Sequence, residues 1–399
     1  MFQSKILVIN AGSSSIKLSL FLKDNFLNIA SGIAERIGLD NGLITIKFNG
    51  QKHTKEVNMP NHEVAVESVY QLMQEINLIQ DKDEISNIGF RVVQGGTYFE
   101  DTTKITQKEI DIISKCSIYA PLHNPGAVQA MLGFQKVFPK ALLSADFDTA
   151  FHTTINKINH SYALPKQLVE QFDIKKYGMH GISHQYITSK LASILNQDKV
   201  TFVNMHLGNG ASVCAVKDSL SFDTSMGLTP LAGVMMGTRS GDIDPAIHQF
   251  VMNQTQMDID QFTNLLNKES GLLGVSGLSS DMRDLRQAMA QGNEDAKFAI
   301  DLFAQKIADY VANYANKIGG NPNALVFTAG IGENDYSIRE NIINRLYFKN
   351  IKIDPELNMM DFDDYKKIST SDSEVDVYVI RTNEELVIAQ NAAKIYKSN

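Results

Sequence analysis

Two segments far apart in the chain repeat one pattern. Residues 6–20 run Ile-Leu-Val-Ile-Asn-Ala-Gly-Ser-Ser-Ser-Ile-Lys-Leu-Ser-Leu, and residues 202–216 run Phe-Val-Asn-Met-His-Leu-Gly-Asn-Gly-Ala-Ser-Val-Cys-Ala-Val. Each reads as an apolar strand, a tight turn of small polar residues, and a second strand with alternating apolar positions. Such a turn gathers several backbone N–H groups on one concave side, which suits a phosphate. Two copies of the device predict two related domains closing on one nucleotide.

The bulk properties agree with that size of machine. At 399 residues the chain exceeds one ordinary core, so two domains are expected. A hydrophobic content of 43% with 21% charged residues is that of a soluble globular enzyme. The net charge of −8 argues against a nucleic-acid partner. It leaves room for an anionic substrate, because arginines in a cleft outweigh the mean field. Cys116 and Cys214 are the two cysteines, too few for a disulfide framework, so a reducing compartment is expected. The first apolar run is short and stops at Asn10, unlike a signal peptide. No stretch approaches the ~20 apolar residues of a membrane helix, and a cytoplasmic location is expected.

Strands and helices alternate, which predicts an α/β fold. Strands are expected at 5–10, 15–22, 42–48, 86–93, 141–146, 200–205, 211–217, 324–328 and 375–380. Asn61 is expected to cap a helix carrying Val69, Leu72, Met73 and Ile76, and Ser183 one carrying Ile187, Leu191 and Ile194. The longest helix is expected over 294–318, ended by Gly319-Gly320. No segment reads as a linker. The boundary is placed near residue 150, giving an N-terminal domain of 1–150 plus a returning helix at 384–399, and a second domain of 151–383.

The first turn, Asn10 to Lys17, is not a Walker loop, because Ile16, Leu18 and Leu20 alternate as in a strand rather than opening a helix. An ordinary hairpin would use the same residues. In the second, Gly208 and Gly210 allow close backbone approach to a ligand. A third glycine cluster, Thr328 to Asn334, follows an apolar strand and could hold a base or sugar. Arg91 and Arg239 stand among small residues, which leaves a guanidinium fork open to carboxylate or phosphate. The competing reading is a structural ion pair, for Arg239 with Asp242 or Asp244. Asp148, just past an apolar strand, is placed to hold Mg2+. Asp281, before Met282 and Arg283, reads locally as a helix cap. His180 and His184 are spaced i, i+4, but Gly181 follows the first, so no zinc-protease base is supplied.

Together these segments resemble the acetate kinase family, within the superfamily of sugar kinases, Hsp70-type ATPases and actin. The resemblance runs through Asn10–Leu18, Arg91-Val-Val-Gln-Gly-Gly96, Ala120-Pro-Leu-His-Asn-Pro125, Phe147-Asp-Thr-Ala-Phe-His152, Tyr177–His184, His206–Val213, Asp223–Gly227, Met235–Pro245, Ser276–Leu285, Thr328–Asn334 and Thr382–Glu385. It implies two duplicated ribonuclease H-like (actin-like ATPase) domains with a cleft between them. It implies reversible transfer of the γ-phosphoryl of ATP to acetate, giving acetyl phosphate and ADP, with Mg2+ or Mn2+. By resemblance Asn10 and Glu384 place the metal, with Asp148 as the catalytic carboxylate. Arg91 and Arg239 hold the carboxylate and the transferring group, and His180 and His123 bond phosphoryl oxygens. Val93, Leu122, Met179 and Pro230 resemble the methyl pocket. Ser14, Lys17, His206, Leu207, Gly208, Asn209, Gly210, Asp281, Met282, Arg283, Gly330, Ile331, Gly332, Glu333 and Asn334 match nucleotide-contacting segments. The family is homodimeric.

The chemistry fits: acetate is already ionised, so the need is for cations rather than for a base. Three positions depart from the family pattern. Phe90 and Gln94 stand where histidines are common, and Met179 where Phe is common. Unbranched, flexible Met predicts easier entry of propionate. The rivals are a propionate or butyrate kinase with a wider pocket, and a nucleotide-gated binding protein that performs no transfer.

Overall fold

The computed structural model describes residues 3–121 and 123–395. Leu122 and residues 396–399 lie outside the described residues. By its internal contacts the chain forms two units, one running to Phe151 and resuming at Asn383, the other spanning His152–Thr382.

The first unit is built on β1 (Lys5–Ala11), β2 (Ser15–Leu22), β3 (Asn28–Glu35), β4 (Leu43–Phe48), β5 (Gln51–Glu56), β6 (Ile85–Val92), β7 (Thr103–Lys104) and β8 (Leu142–Phe147). They form one sheet in the order β5-β4-β3-β2-β1-β6-β8-β7. The strands from β5 to β1 are antiparallel neighbours, whereas β1–β6 and β6–β8 are parallel. Residues alternate across β6. Phe90 packs edge-on against Phe134 of the helix Asn124–Val137, at 5.7 Å between ring centres. Asn87 points the other way and donates to the Ala392 carbonyl of the helix Glu384–Lys394 (2.8 Å). The sheet is thus covered on both faces, and Arg91 shares the side of the C-terminal helix.

The second unit holds β9 (Phe202–Leu207), β10 (Ala211–Lys217), β11 (Leu220–Thr224), β12 (Ala324–Thr328), β13 (Tyr365–Lys367) and β14 (Asp376–Ile380), ordered β11-β10-β9-β12-β14-β13. The β9–β10 and β10–β11 pairs are antiparallel, and β9–β12 and β12–β14 are parallel. All of β9 is buried, as expected of a strand flanked by helices on a mixed sheet. The run β11-β10-β9-β12-β14 repeats the order and sense of β3-β2-β1-β6-β8, so the duplication expected from the two turns extends to five strands of each sheet.

Five strands escape the sequence reading: β3, β5, β7, β11 and β13. β5, Gln-Lys-His-Thr-Lys-Glu, has no buried residue and is an edge strand whose charges discourage further pairing. Asn61 caps the helix His62–Glu75 as expected, accepting from the Val64 N–H (3.0 Å). The expectation for Ser183 is corrected. The helix Gly181–Leu195 starts from His180, which sits in the left-handed region at φ +59°, and Ser183 lies in its first turn. The long helix spans Glu294–Lys317, capped by Asn293 and ended before Gly319-Gly320, both at positive φ.

Candidate active site

In the first unit the β1–β2 turn is fixed from beneath. The Gly12 N–H donates to the Ser15 carbonyl (2.8 Å), and the His62 ring lies 2.9 Å from the Gly12 carbonyl through Nε2. Ser14 is exposed at the tip. Asn10 pairs in register with Lys17 across the hairpin. Both line a small crevice of about 30 Å3 together with Arg91, Glu384 and Glu385.

Arg91 is a paired arginine. Its Nε and Nη2 donate to the two carboxylate oxygens of Asp148, at 3.0 and 2.6 Å, the fork-to-fork geometry of a strong charge-assisted pair. Asp148 is 1% exposed. Glu384, in the first turn of the C-terminal helix, lies 3.7 Å from Arg91 Nε. Burial would lower the Arg91 pKa, but the charges of Asp148 and Glu384 raise it instead. Glu384 feels the converse. Burial raises its carboxyl most, Arg91 pulls it down, and Asp148 and Glu385 push it up, to about 7 in all. One guanidinium therefore faces two carboxylates, with a third beside them. The cluster is short of positive charge.

That deficit is what a hard cation fills. The donors here are carboxylate and amide oxygens, the set Mg2+ takes. No group of three or more His, Cys, Asp or Glu that could cage a metal exists among the described residues. Mg2+ characteristically completes its shell with water and substrate phosphate rather than with protein. The residues fit the ion on those terms.

Other residues predicted for this unit have settled places. His123 is the N-cap of the helix Asn124–Val137 and half-buried. Val93 is buried just after β6. Phe90 belongs to the core, and Gln94 is fully buried, its Oε1 accepting from the Gly96 N–H (2.8 Å). Arg91 thus takes its support from Asp148, and the departures from histidine at both neighbours leave that support intact.

In the second unit the β9–β10 turn, Gly208-Asn209-Gly210, has two sides. Gly208 and Asn209 line a cavity of about 710 Å3 with Asp281, Met282, Arg283, Gly330, Ile331 and Asn334, all predicted. Ser280, Arg286, Asp335, Tyr336 and Ser337 also line it and were not predicted from sequence. Arg286 Nε donates to Asp335 (2.6 Å) and closes part of its wall. Asp281 combines both readings offered for it: it caps the helix Met282–Ala290, accepting from the Arg283 N–H (2.8 Å), and it lines the cavity.

Gly210 faces another way. A methyl group there would lie 3.4 Å from Arg239 Nη1 and 3.6 Å from His180 Nε2, so both groups are directed at the turn. Arg239 is unlike Arg91. Its Nη1 reaches the Pro230 carbonyl at 3.5 Å and the Met236 sulfur at 3.8 Å, and no carboxylate is in salt-bridge range among the described residues. The ion-pair reading is overturned: Asp242 instead accepts from the Gly233 N–H (2.8 Å) and pairs with the Tyr310 hydroxyl, and Asp244 accepts from the Ala246 N–H (2.8 Å). Burial without a counter-charge lowers the Arg239 pKa. Its guanidinium is the group an anion would relieve.

The remaining predicted residues divide. His206 stacks on His180 at 4.2 Å between ring centres. Met179 is buried, its carbonyl 3.0 Å from His152 Nε2. Leu207 is core. Gly332 is buried and outside the cavity lining. Glu333 is a clamp, its Oε1 accepting from the N–H groups of Ala329 (2.9 Å) and Thr382 (3.0 Å).

Comparison with known proteins follows from this geometry. A model described as the acetokinase family matches residues 5–390. The chain is 56% identical over 391 residues to the acetate kinase of Mycoplasmopsis pulmonis, covering 98% of this chain and 99% of that one. It is 44% identical over 396 residues to the acetate kinase of Bacillus subtilis, covering 99% and 100%. The crystal structure of Porphyromonas gingivalis acetate kinase superposes with a TM-score of 0.93 at 37% identity, covering 98% of each chain. That of a propionate kinase from Francisella tularensis gives 0.93 at 40% identity, covering 98% of this chain and 100% of that one. With a family match over nearly its whole length and two full-length relatives above two-fifths identity, the chain belongs to the acetokinase family.

Proposed function

We propose that the protein transfers the γ-phosphoryl of ATP to acetate, reversibly and with Mg2+. The observation that carries this reading is Arg239, a largely buried guanidinium without a carboxylate partner, aimed with His180 at the Gly210 end of a glycine turn. The other end of that turn opens on a cavity large enough for a nucleoside. The turn would then run under the phosphates, with the base in the cavity and the terminal phosphoryl at Gly210. Arg239 and His180 would meet charge on its equatorial oxygens, the positions at which stabilisation accelerates phosphoryl transfer.

The first unit supplies the complementary groups. Asn10, Asp148 and Glu384 would hold Mg2+, which, when bound, neutralises charge on the phosphate oxygens. Arg91 keeps Nη1 and one Nη2 hydrogen beyond its pair with Asp148, and these would receive the acetate carboxylate. Asp148 is committed to Arg91, which supports an orienting role rather than proton removal. His123 would bond a phosphoryl oxygen. Val93, Met179 and Pro230 are the proposed contacts of the acyl methyl, and the adaptable Met179 would make propionate a second substrate. No helix among the described residues is long and apolar enough to cross a membrane. By resemblance to the family, two copies of the chain would associate.

Hydroxylamine trapping tests the reaction: with ATP, Mg2+ and acetate the protein should form acetohydroxamate. Absence of hydroxamate from acetate, propionate and butyrate alike would reject transfer in favour of nucleotide-gated binding.

A further inference from the structure

Behind His180 lies a file of buried polar side chains that do not line the 710 Å3 cavity. Asn204, His184 and Ser212 are each 0% exposed. Asn204 Nδ2 is 2.8 Å from His184 Nδ1, His184 Nε2 is 2.8 Å from Ser212 Oγ, and Ser212 Oγ is 2.9 Å from His180 Nδ1. Strand β9 supplies Asn204, β10 supplies Ser212, and the helix Gly181–Leu195 supplies His184.

The donor order along this file follows from chemistry. An amide nitrogen only donates, so His184 Nδ1 accepts from Asn204. Burial, with His152 and His206 nearby, lowers the His184 pKa well below its ordinary value, so the ring is neutral and has a single N–H. That N–H is on Nε2 and donates to Ser212. The one hydroxyl proton of Ser212 then donates to His180 Nδ1. The opposite order would begin with Asn204 Oδ1 toward His184 and leave both amide hydrogens buried without acceptors. The order given leaves one amide hydrogen and the Oδ1 acceptor without partners, so it exchanges a second orphaned hydrogen for an oxygen. An under-satisfied oxygen costs less than an orphaned N–H group.

We propose that Asn204, His184 and Ser212 form a tautomer relay that keeps the lone pair of His180 on Nδ1 and its proton on Nε2, so that a hydrogen-bond donor faces the Gly210 turn beside Arg239. The three are positioning residues, and their kinetic consequence rests on the reading that His180 meets the transferring phosphoryl. A histidine in the other tautomer would present a lone pair there and repel phosphoryl oxygen.

The relay is tested on the full chain without substrate. Long-range 1H–15N correlation of 15N-histidine-labelled protein reports each ring's tautomer, with His180 assigned through a His180→Gln variant. The expected result is His180 protonated on Nε2. Ser212→Ala should scramble that tautomer and lower kcat by about 10- to 100-fold, with the KM for ATP changed less than about 3-fold. His184→Gln, whose amide nitrogen substitutes for the ring Nε2–H donor, should keep the Nε2–H form and most of kcat. Wild-type His180 protonated on Nδ1 overturns the relay, as does a Ser212→Ala protein with unchanged tautomer and turnover. Should Ser212→Ala not fold, the wild-type tautomer and His184→Gln decide the matter. A wild-type protein that forms no hydroxamate defeats the proposed reaction but leaves the tautomer measurement standing.

Discussion

The two arginines at the heart of the two units have opposite surroundings. Arg91 is locked onto a carboxylate that is 1% exposed and has a second at 3.7 Å. Among the described residues Arg239 reaches only a carbonyl and a sulfur, at long range. The first cluster carries surplus negative charge and the second uncompensated positive charge. A duplicated scaffold thus carries two charge patterns: one copy surrounds its arginine with carboxylates, and the other leaves its arginine without one among the described residues. Pairing, not residue type, separates the roles.

The comparison breaks most readily at Arg239. Arg239→Gln should lower kcat/KM for acetyl phosphate formation by about 1,000-fold or more, while the melting temperature holds or rises, since an unpaired buried charge is removed. Activity within tenfold of wild type would end the claim. Arg91→Ala should do the reverse in stability. It strands Asp148, and breaking a buried pair in this way costs about 3 kcal/mol or more in urea melts. Arg91→Lys should regain much of that loss but little turnover, because the fork is gone. Equal destabilisation from the two arginines would show the contrast to be superficial.

The duplication was legible because it is written in local pattern: both hairpins show their alternation and their small turn residues in the sequence. Arg91, Arg239 and Asp148 stood out through their small or apolar neighbours. Pairing was not legible. Whether Arg239 meets Asp242 depends on the loop's path, and that path gives Asp242 to Gly233 and Tyr310. The cavity residues Arg286 and Asp335 were missed because they come from separate helices and meet only in three dimensions. β5 was missed because six polar residues carry no strand period, and its pairing with β4 overrides weak propensity. The i, i+4 histidines were visible as a spacing, but Ser212, which joins them, lies on β10, distant in sequence from their helix.

The acidic cluster predicts its own pH dependence. In metal-free protein the Glu384 pKa is raised to about 7 from 4.5, so the folded state holds a proton that the unfolded state has released. The stability from that proton is complete below pH 4.5 and is lost as pH rises through about 7. The loss is on the order of 1–3 kcal/mol. Glu384→Gln should flatten this part of the stability profile. Mg2+ should restore wild-type stability at pH 8 and leave the Gln variant nearly unmoved. Identical profiles with and without Glu384 would mean that the cluster is not short of positive charge.

The smallest effect tests the proposed acyl contacts. Met179 is buried, and His152 Nε2 lies 3.0 Å from its carbonyl, with His152 Nδ1 at 2.8 Å from Ser221. The backbone at 179 is therefore anchored independently of the side chain, and an exchange there alters shape rather than path. Met179→Phe should lower kcat/KM for propionate more than for acetate, because a rigid ring cannot yield to an added methylene as a thioether chain does. One methylene in an apolar pocket is worth about 1–3 kcal/mol, so the propionate-to-acetate ratio should fall by about 10-fold. Val93→Ala, which shortens the other proposed acyl contact, should raise the same ratio. If both substitutions leave it unchanged, neither residue bounds the acyl chain, and selection between acids rests on other groups.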